Sequence, residues 1–581
     1  MDSYPQQVGV SQLFLELIAD HLARLYPNTN SEALAEQCIN AIGIDKNTDF
    51  TELDPKRWTE ADAILLAYGD SFLDGDQAPL NVLRETLDAY FSDFYSILHV
   101  LPFFPSSSDD GFSVIDHTEV DPLLGEWSHI ESLSFRLKLM ADVVLNHVSS
   151  ESEWFTQFLL DQEPGNRYIK MINPDDDLTK VVRPRSRSLE RQVNTTTGVK
   201  SVWCTFSDDQ IDLDFSNPDV FLEILKIVNR LVEAGVQWFR LDAVAFIWKT
   251  SGSSCVHLQE THQCVKILKA LLHKRQPEAV LVTETNVPHK QNISYFGEGD
   301  EADAIYNFSL PPLILHTFIA ESVTALSTWT SEISHEVKSG VSLNFIASHD
   351  GIGLRPIEGL LNQDEIKVLI DATIKAGGRY ESYNTQDGQR PYELNVSIYD
   401  LLTSEGSKYG KACYLAAHTL ILVFAGVPLL YINSLLCLPN NHDGVEKRGF
   451  NRAINRRSLN QTEVLSILDE QNAGSINLFE ELKRRVKIRR TQQAFHPQAA
   501  QTHVPLGDEV FGLLRTSQDG IQKILCITNI CSRLVKLDAE NVPISFRGTC
   551  IDLLTDAQID LDSGLQLDPY GTYWLSISIA E

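Results

Sequence analysis

The chain has little positive charge for its size. Over 581 residues, 48 Lys and Arg stand against 79 Asp and Glu, a formal charge of −31. Such a surface repels nucleic acid and anionic membranes, which argues against both as partners. It repels anionic substrates too, so a local basic cluster carries more weight than usual; so acidic a surface would suit a salty environment. There is no regular cysteine framework: the nine cysteines at 38, 204, 255, 264, 413, 437, 526, 531 and 550 are odd in number, and Cys413 and Cys526 sit inside apolar runs. There a cysteine behaves as a small hydrophobe, and a reduced protein is expected. The opening Met1-Asp2-Ser3-Tyr4-Pro5 has no basic region ahead of an apolar core, so a cytoplasmic location is expected. No internal repeat or low-complexity tract is present. The longest apolar stretch, residues 413–439, is interrupted by His418 and Thr419 and punctuated by Gly426 and Pro428. It reads as a buried helix running into a buried parallel strand, not as a membrane span. No Gly-x-Gly-x-x-Gly follows the first strand, which counts against a dinucleotide-binding fold.

What is present is globular in composition: 43% hydrophobic, 22% charged, with 17 Tyr, 26 Phe and 8 Trp. The length suits one large domain with one or two smaller ones. Residues 1–60 read as a helical extension. From residue 61 to 495 short apolar strands alternate with amphipathic helices, with strands predicted at 64–68, 97–101, 139–145, 238–244, 280–284, 304–308, 343–347 and 422–431. Eight such strands predict an α/β fold, a closed (β/α)8 TIM barrel, rather than an open doubly wound sheet. Residues 148–205 are polar and irregular and read as a subdomain inserted after strand 3; residues 351–412 form a second long excursion. Long βα loops lie on the face where barrels keep their active sites. Residues 500–581 alternate in short strands and predict a small C-terminal β domain.

The run Trp238-Phe239-Arg240-Leu241-Asp242-Ala243-Val244 is the most informative. It reads as a buried strand whose end delivers an arginine and an aspartate, the arginine two residues earlier to hold the carboxylate ionised. Val280-Leu281-Val282-Thr283-Glu284 ends a second apolar strand in an acid, and Ile346-Ala347-Ser348-His349-Asp350 a third. Three strand ends closing on acids point to a sugar-cleaving site. Cys255, His257, His262 and Cys264 could suggest zinc. On one helix they would form two pairs pointing apart, so an ordinary helix is expected and no metal.

Asp142-Val143-Val144-Leu145-Asn146-His147, Phe239-Arg240-Leu241-Asp242, Glu284 and His349-Asp350 resemble, in order, the four signature motifs of the α-amylase superfamily. Pro102-Phe103-Phe104-Pro105, Asp109-Asp110-Gly111-Phe112-Ser113-Val114-Ile115-Asp116-His117 and His349-Asp350-Gly351-Ile352-Gly353 are similar to its sucrose phosphorylase branch. The resemblance covers residues from about 60 to 500. It implies a retaining α-glucoside phosphorylase that takes a small α-glucoside and inorganic phosphate, without cofactor, as a monomer or homodimer. In that reading Asp242 is the nucleophile, Glu284 the general acid and then base, and Asp350 the stabiliser of the transition state. Arg240 keeps Asp242 ionised, His147 and His349 donate to sugar hydroxyls, and Phe112 offers an aromatic face. Asp109 or the adjoining Asp110, and Arg452 or the nearby Arg456, clamp the far edge of the glucose.

Arg183-Pro184-Arg185-Ser186-Arg187 resembles the Arg-Pro-Arg of sucrose phosphorylases, which implies phosphate binding by Arg185. Tyr392 matches the family tyrosine that swings in with phosphate. The acceptor side departs from the sucrose pattern, with Arg390 and Glu393 in Gln389-Arg390-Pro391-Tyr392-Glu393 and Phe246 in place of tyrosine. Together with Trp248-Lys249-Thr250, these residues look more like relatives acting on glucosylglycerate or glucosylglycerol. An arginine in the acceptor pocket would suit the carboxylate of glycerate, while Glu393 could offset it.

Overall fold

The computed structural model describes residues 10–45, 56–184, 188–334, 339–385, 388–403, 407–473 and 476–577. Eight parallel strands close a barrel: β1 (Ile64–Ala67), β2 (Ile97–Val100), β3 (Lys138–Val144), β4 (Val236–Asp242), β5 (Val280–Thr283), β6 (Ala304–Tyr306), β7 (Val341–Asn344) and β8 (Val427–Tyr431). Each pairs with its sequence neighbours, and β8 returns to β1. These are the eight predicted strands, with their boundaries shifted by a few residues and most of all at the start of β8. Residues 422 and 423 end a helix, Gly410–Val423, rather than opening β8. The chain turns at Gly426, whose φ of +130° and approach to the Ser342 carbonyl leave no room for a Cβ.

Two compact units divide the chain. The first holds residues 1–57, 100–285 and 293–304. In it β3 and β4 pair so that Asp142 lies across from Arg240 and Val144 from Asp242. On the other side of β4, Leu241 pairs with Thr283 of β5. Helices α1 (Val10–Leu25) and α2 (Ser31–Ala41) pack on the barrel helices Gln259–Arg275 and Pro218–Glu233 respectively. The connection after β3 holds a helix, Glu153–Leu160, and two small antiparallel pairs: His147–Ser149 with Gln210–Asp212, and Glu190–Thr195 with Gly198–Trp203.

The second unit holds residues 58–99, 286–292 and 305–581. After β7, Ile352–Gly353 pairs with a hairpin formed by Arg379–Thr385 and Gly388–Asn395. Beyond residue 500 lies a six-stranded sheet running from Ala500–His503 to Gln558–Asp560 at its edges. Arg489 is fully buried and donates to the carbonyls of Leu422, Gly426, Phe495 and Glu60. Arg515 does the same for Val423 and His496. Through Leu422, Val423 and Gly426 these guanidiniums satisfy carbonyls left open where the buried helix gives way to β8. Among the described residues no helix is long and apolar enough to cross a membrane. All nine cysteines are buried and unbonded to one another.

Candidate functional site

The register of β3, β4 and β5 builds the first unit's polar centre. Successive strand residues alternate faces, so Arg240 and Asp242 project to the same side, and Asp142 is level with Arg240 on the next strand. The Arg240 guanidinium is 2% exposed, and its Nη1 donates both to Asp142 and, at 2.8 Å, to Asp242. Its Nη2 lies 4.0 Å from Glu284 Oε2. Glu284 is tied on both sides: its backbone N–H bonds the Leu241 carbonyl, and Oε2 accepts from the Ala243 amide at 3.0 Å. Ala243 takes a left-handed φ of 52°, a strained turn directly after Asp242.

Burial pushes the Asp242 carboxyl above the usual aspartate range; Arg240 pulls it back, and Asp142, competing for the same guanidinium, adds to the rise. Arg240 therefore serves two carboxylates at once. The arginine also stands 5.6 Å from the ring centre of Phe112.

His147 is buried, with both ring nitrogens facing protein atoms: Nδ1 is 3.2 Å from Asn146 Nδ2 and Nε2 is 2.9 Å from the Phe112 carbonyl. His147 thus has a protein partner at each ring nitrogen. Its ring meets Phe206 at 5.5 Å, and Phe206 meets Phe246 at 5.3 Å. Trp248 packs against Tyr26 from the turn after α1. Asp109 and Asp110 both adopt φ of 51°, two consecutive left-handed residues that only a fixed loop sustains. That loop is anchored by Asp209, whose carboxylate accepts from the hydroxyls of Ser107, Ser108, Ser113 and Ser150. Sequence reasoning missed Asp209, Phe206 and Asp212, which carry no local pattern and matter only through their partners.

In the second unit, Asp350 lies six residues past the end of β7, on a loop rather than at a strand end. Arg452 Nη1 donates to Asp350 at 2.5 Å, and its Nε and Nη2 fork onto Glu393 at 3.0 and 2.6 Å. Glu393 is 1% exposed and packs against Gly351, where a Cβ would stand 2.4 Å from it. Both of its oxygens are thus held by Arg452. Arg456 is buried more deeply and donates to the His349 carbonyl, with Nη2 3.4 Å from Asp350. Of the two arginines, Arg452 keeps the more exposed side chain. His349 Nε2 is 3.4 Å from Asp350 Oδ2 and its ring meets Tyr68 edge-on. Tyr392 and the exposed Arg390 lie on the hairpin, Arg390 paired in register with Tyr383 and Tyr392 packed against that same ring. Arg185 lies outside the described residues.

The four suspected zinc ligands are dispersed. The helix begins at Gln259, after Cys255 and His257; His257 Nδ1 meets the Tyr295 hydroxyl, and His262 Nδ1 meets Glu301. Among the described residues no three His, Cys, Asp or Glu side chains form a group able to hold a metal ion.

Residues 68–365 match the family model described as α-amylase catalytic domain. The chain is 37% identical to the glucosylglycerate phosphorylase of Escherichia coli (strain K12), over 96% of this chain and 99% of that one. It is 30% identical to the glucosylglycerol phosphorylase of Marinobacter adhaerens, over 66% of this chain and 80% of that one. The solved structure of sucrose 6F-phosphate phosphorylase from Thermoanaerobacter thermosaccharolyticum shares the fold, with a TM-score of 0.71 at 24% identity, over 81% of this chain and 94% of that one. The chain belongs to the α-amylase family, in the branch that holds the glucosylglycerate, glucosylglycerol and sucrose phosphorylases.

Proposed function

We propose that the chain is a retaining α-glucoside phosphorylase acting on 2-O-α-glucosylglycerate, as the E. coli relative's name also suggests. The observation that carries the reading is the single guanidinium of Arg240, within 4.0 Å of both Asp242 and Glu284. A guanidinium shared in this way sets the two carboxyls side by side, as a nucleophile and an acid flanking one glycosidic bond must stand. The Asp242 carboxylate attacks the anomeric carbon as the bond to the glycerate oxygen breaks, and Glu284 gives that oxygen its proton. A phosphate oxygen then attacks the glucosyl ester, the ester bond breaks, and Asp242 leaves as carboxylate. The phosphate proton passes to Glu284. The products are α-D-glucose 1-phosphate and free glycerate. Asp350, beyond β7, is assigned the stabilisation of the transition state that its motif implies.

Arg185 and Tyr392 are assigned to phosphate. Asp109, Phe112, His349 and Arg452 are assigned to the glucose, with Phe246 on the acceptor side. Arg390 is assigned to the glycerate carboxylate: Glu393, the acid that could offset it, gives both oxygens to Arg452. The test runs the reaction backwards. The protein is incubated with α-D-glucose 1-phosphate and, separately, glycerate, glycerol, fructose or fructose 6-phosphate, and phosphate release is followed. Release with glycerate well above the blank is expected, falling at least about tenfold in Arg390→Ala. Equal slow release in every tube, with free glucose accumulating, would make water the acceptor and overturn the reading.

A further inference from the structure

Lys249 is one residue past Trp248 in a run that the proposed chemistry leaves unused. Its side chain is 2% exposed, an expensive place for an ammonium unless every proton has a partner. Nζ donates to Asp212 Oδ2 at 2.7 Å and to Asn146 Oδ1 at 2.8 Å. Asp212 is saturated in turn: it accepts from the Thr205 amide at 2.9 Å, the Thr205 hydroxyl at 2.6 Å and Asn146 Nδ2 at 3.0 Å.

These bonds have a directional consequence. An amide side chain can ordinarily turn over, exchanging its oxygen and nitrogen. Here the ammonium, a donor only, settles which end of Asn146 is the oxygen. The Asn146 NH2 then faces Asp212 and, at 3.2 Å, His147 Nδ1. A ring nitrogen opposite an amide N–H must be the acceptor, so the ring proton sits on Nε2. The Nε2 side alone would leave the choice open. The Phe112 carbonyl at 2.9 Å favours a proton there, while the Gln210 amide at 3.1 Å could either donate or, turned over, accept. His147 follows β3 by three residues, and the last residue of β3, Val144, pairs with Asp242.

We propose that Lys249 is a positioning residue: by pinning the Asn146 amide it locks His147 as the Nε2–H tautomer, so that this ring reaches the glucoside as a hydrogen-bond donor. The last clause rests on the function proposed above; the tautomer lock does not. When substrate enters, the Nε2–H exchanges the Phe112 carbonyl for a sugar oxygen, and Lys249 fixes the proton on the useful nitrogen beforehand.

The test is Lys249→Met, which keeps most of the stem and removes the donor. Long-range 1H–15N spectra, with the His147 signals identified by their loss in His147→Gln, report the tautomer directly. The wild type is expected to show the Nε2–H pattern alone, and Lys249→Met a mixture or the Nδ1–H form. kcat/KM in the reverse assay is expected to fall about 10–100-fold, the usual cost of losing a partner that orients a histidine. In a His147→Gln background the same change should cost no more than about twofold, because the two act through one ring. An unchanged Nε2–H pattern in Lys249→Met, or a full additional loss in the His147→Gln background, would overturn the proposal. Should Lys249→Met fail to fold around an uncompensated Asp212, Lys249→Met with Asp212→Asn removes the charges together and carries the same readouts. A wild type inactive with every acceptor would sink the phosphorylase reading, while the spectra would still decide the tautomer.

Discussion

At Asp242, burial outweighs a guanidinium held at 2.8 Å, and the carboxyl sits above the ordinary aspartate range. The consequences for activity and for stability differ in sign. As nucleophile, Asp242 must be ionised, so the acidic limb of kcat/KM is expected at a higher pH than an unperturbed aspartate would give; a limb at ordinary aspartate values would contradict this. For stability, a raised folded pKa means that the folded state binds the proton more tightly. The stabilisation is present below the unfolded pKa and lost as pH rises through the folded one. Asp242→Asn, which carries no charge, is therefore expected to abolish turnover yet raise Tm at pH 7, with the gain shrinking toward acid pH. A lower Tm at pH 7 would mean that the Arg240 pair outweighs the burial. The same scale governs Glu393. Its carboxylate is buried and forked onto Arg452, so Glu393→Ala is expected to cost about 3 kcal/mol in denaturant unfolding and to lower kcat, since Arg452 then loses its forked partner. A neutral outcome in both would mean the pair is incidental.

At the scale of elements, the strands were legible because a parallel barrel strand is short, apolar on both faces and bounded by polar residues. All eight were found that way, and Arg240, Asp242 and Glu284 could be placed because they interrupt apolar runs at strand ends. The boundary of β8 was not legible: residues 420–423 are as apolar in the helix as the strand is, and only the turn at Gly426 separates them. Loops hid the rest. Asp350 looked like a strand end because Phe345, Ile346 and Ala347 are apolar, but β7 closes at Asn344. Nothing in the sequence ties Asp209 to serines about a hundred residues earlier, because that contact exists only once the loops meet. Asp209→Ala should loosen the loop that holds Asp109 and Asp110 in their left-handed turn. The expected result is a higher KM for the glucoside with kcat less affected, and a stability loss of about 1 kcal/mol. An unchanged KM would show that the loop keeps its shape without the carboxylate.

For the whole molecule, the dominant fact is the charge of −31. Basic side chains are few, and the most deeply placed are already committed: Arg240 between carboxylates, Lys249 to Asp212, and Arg489 and Arg515 to backbone carbonyls. These cations hold the interior together and are too deeply buried to offset the acidic surface. The surface carboxylates therefore repel one another in the compact state more than in the expanded one. That repulsion is long-range, acting over about 30 Å at 0.01 M salt and about 3 Å at 1 M, whereas the buried pairs are shielded from solvent ions. Sodium chloride should therefore raise Tm steeply between low and moderate ionic strength and then level off, with potassium chloride giving the same curve. A Tm that falls with salt would mean that exposed ion pairs, such as Arg533 with Glu321 and Glu509, contribute more than the net charge costs. The contest is between a few local attractions, each worth under about 1 kcal/mol, and a repulsion summed over the whole surface, and a charge this large decides it for the repulsion.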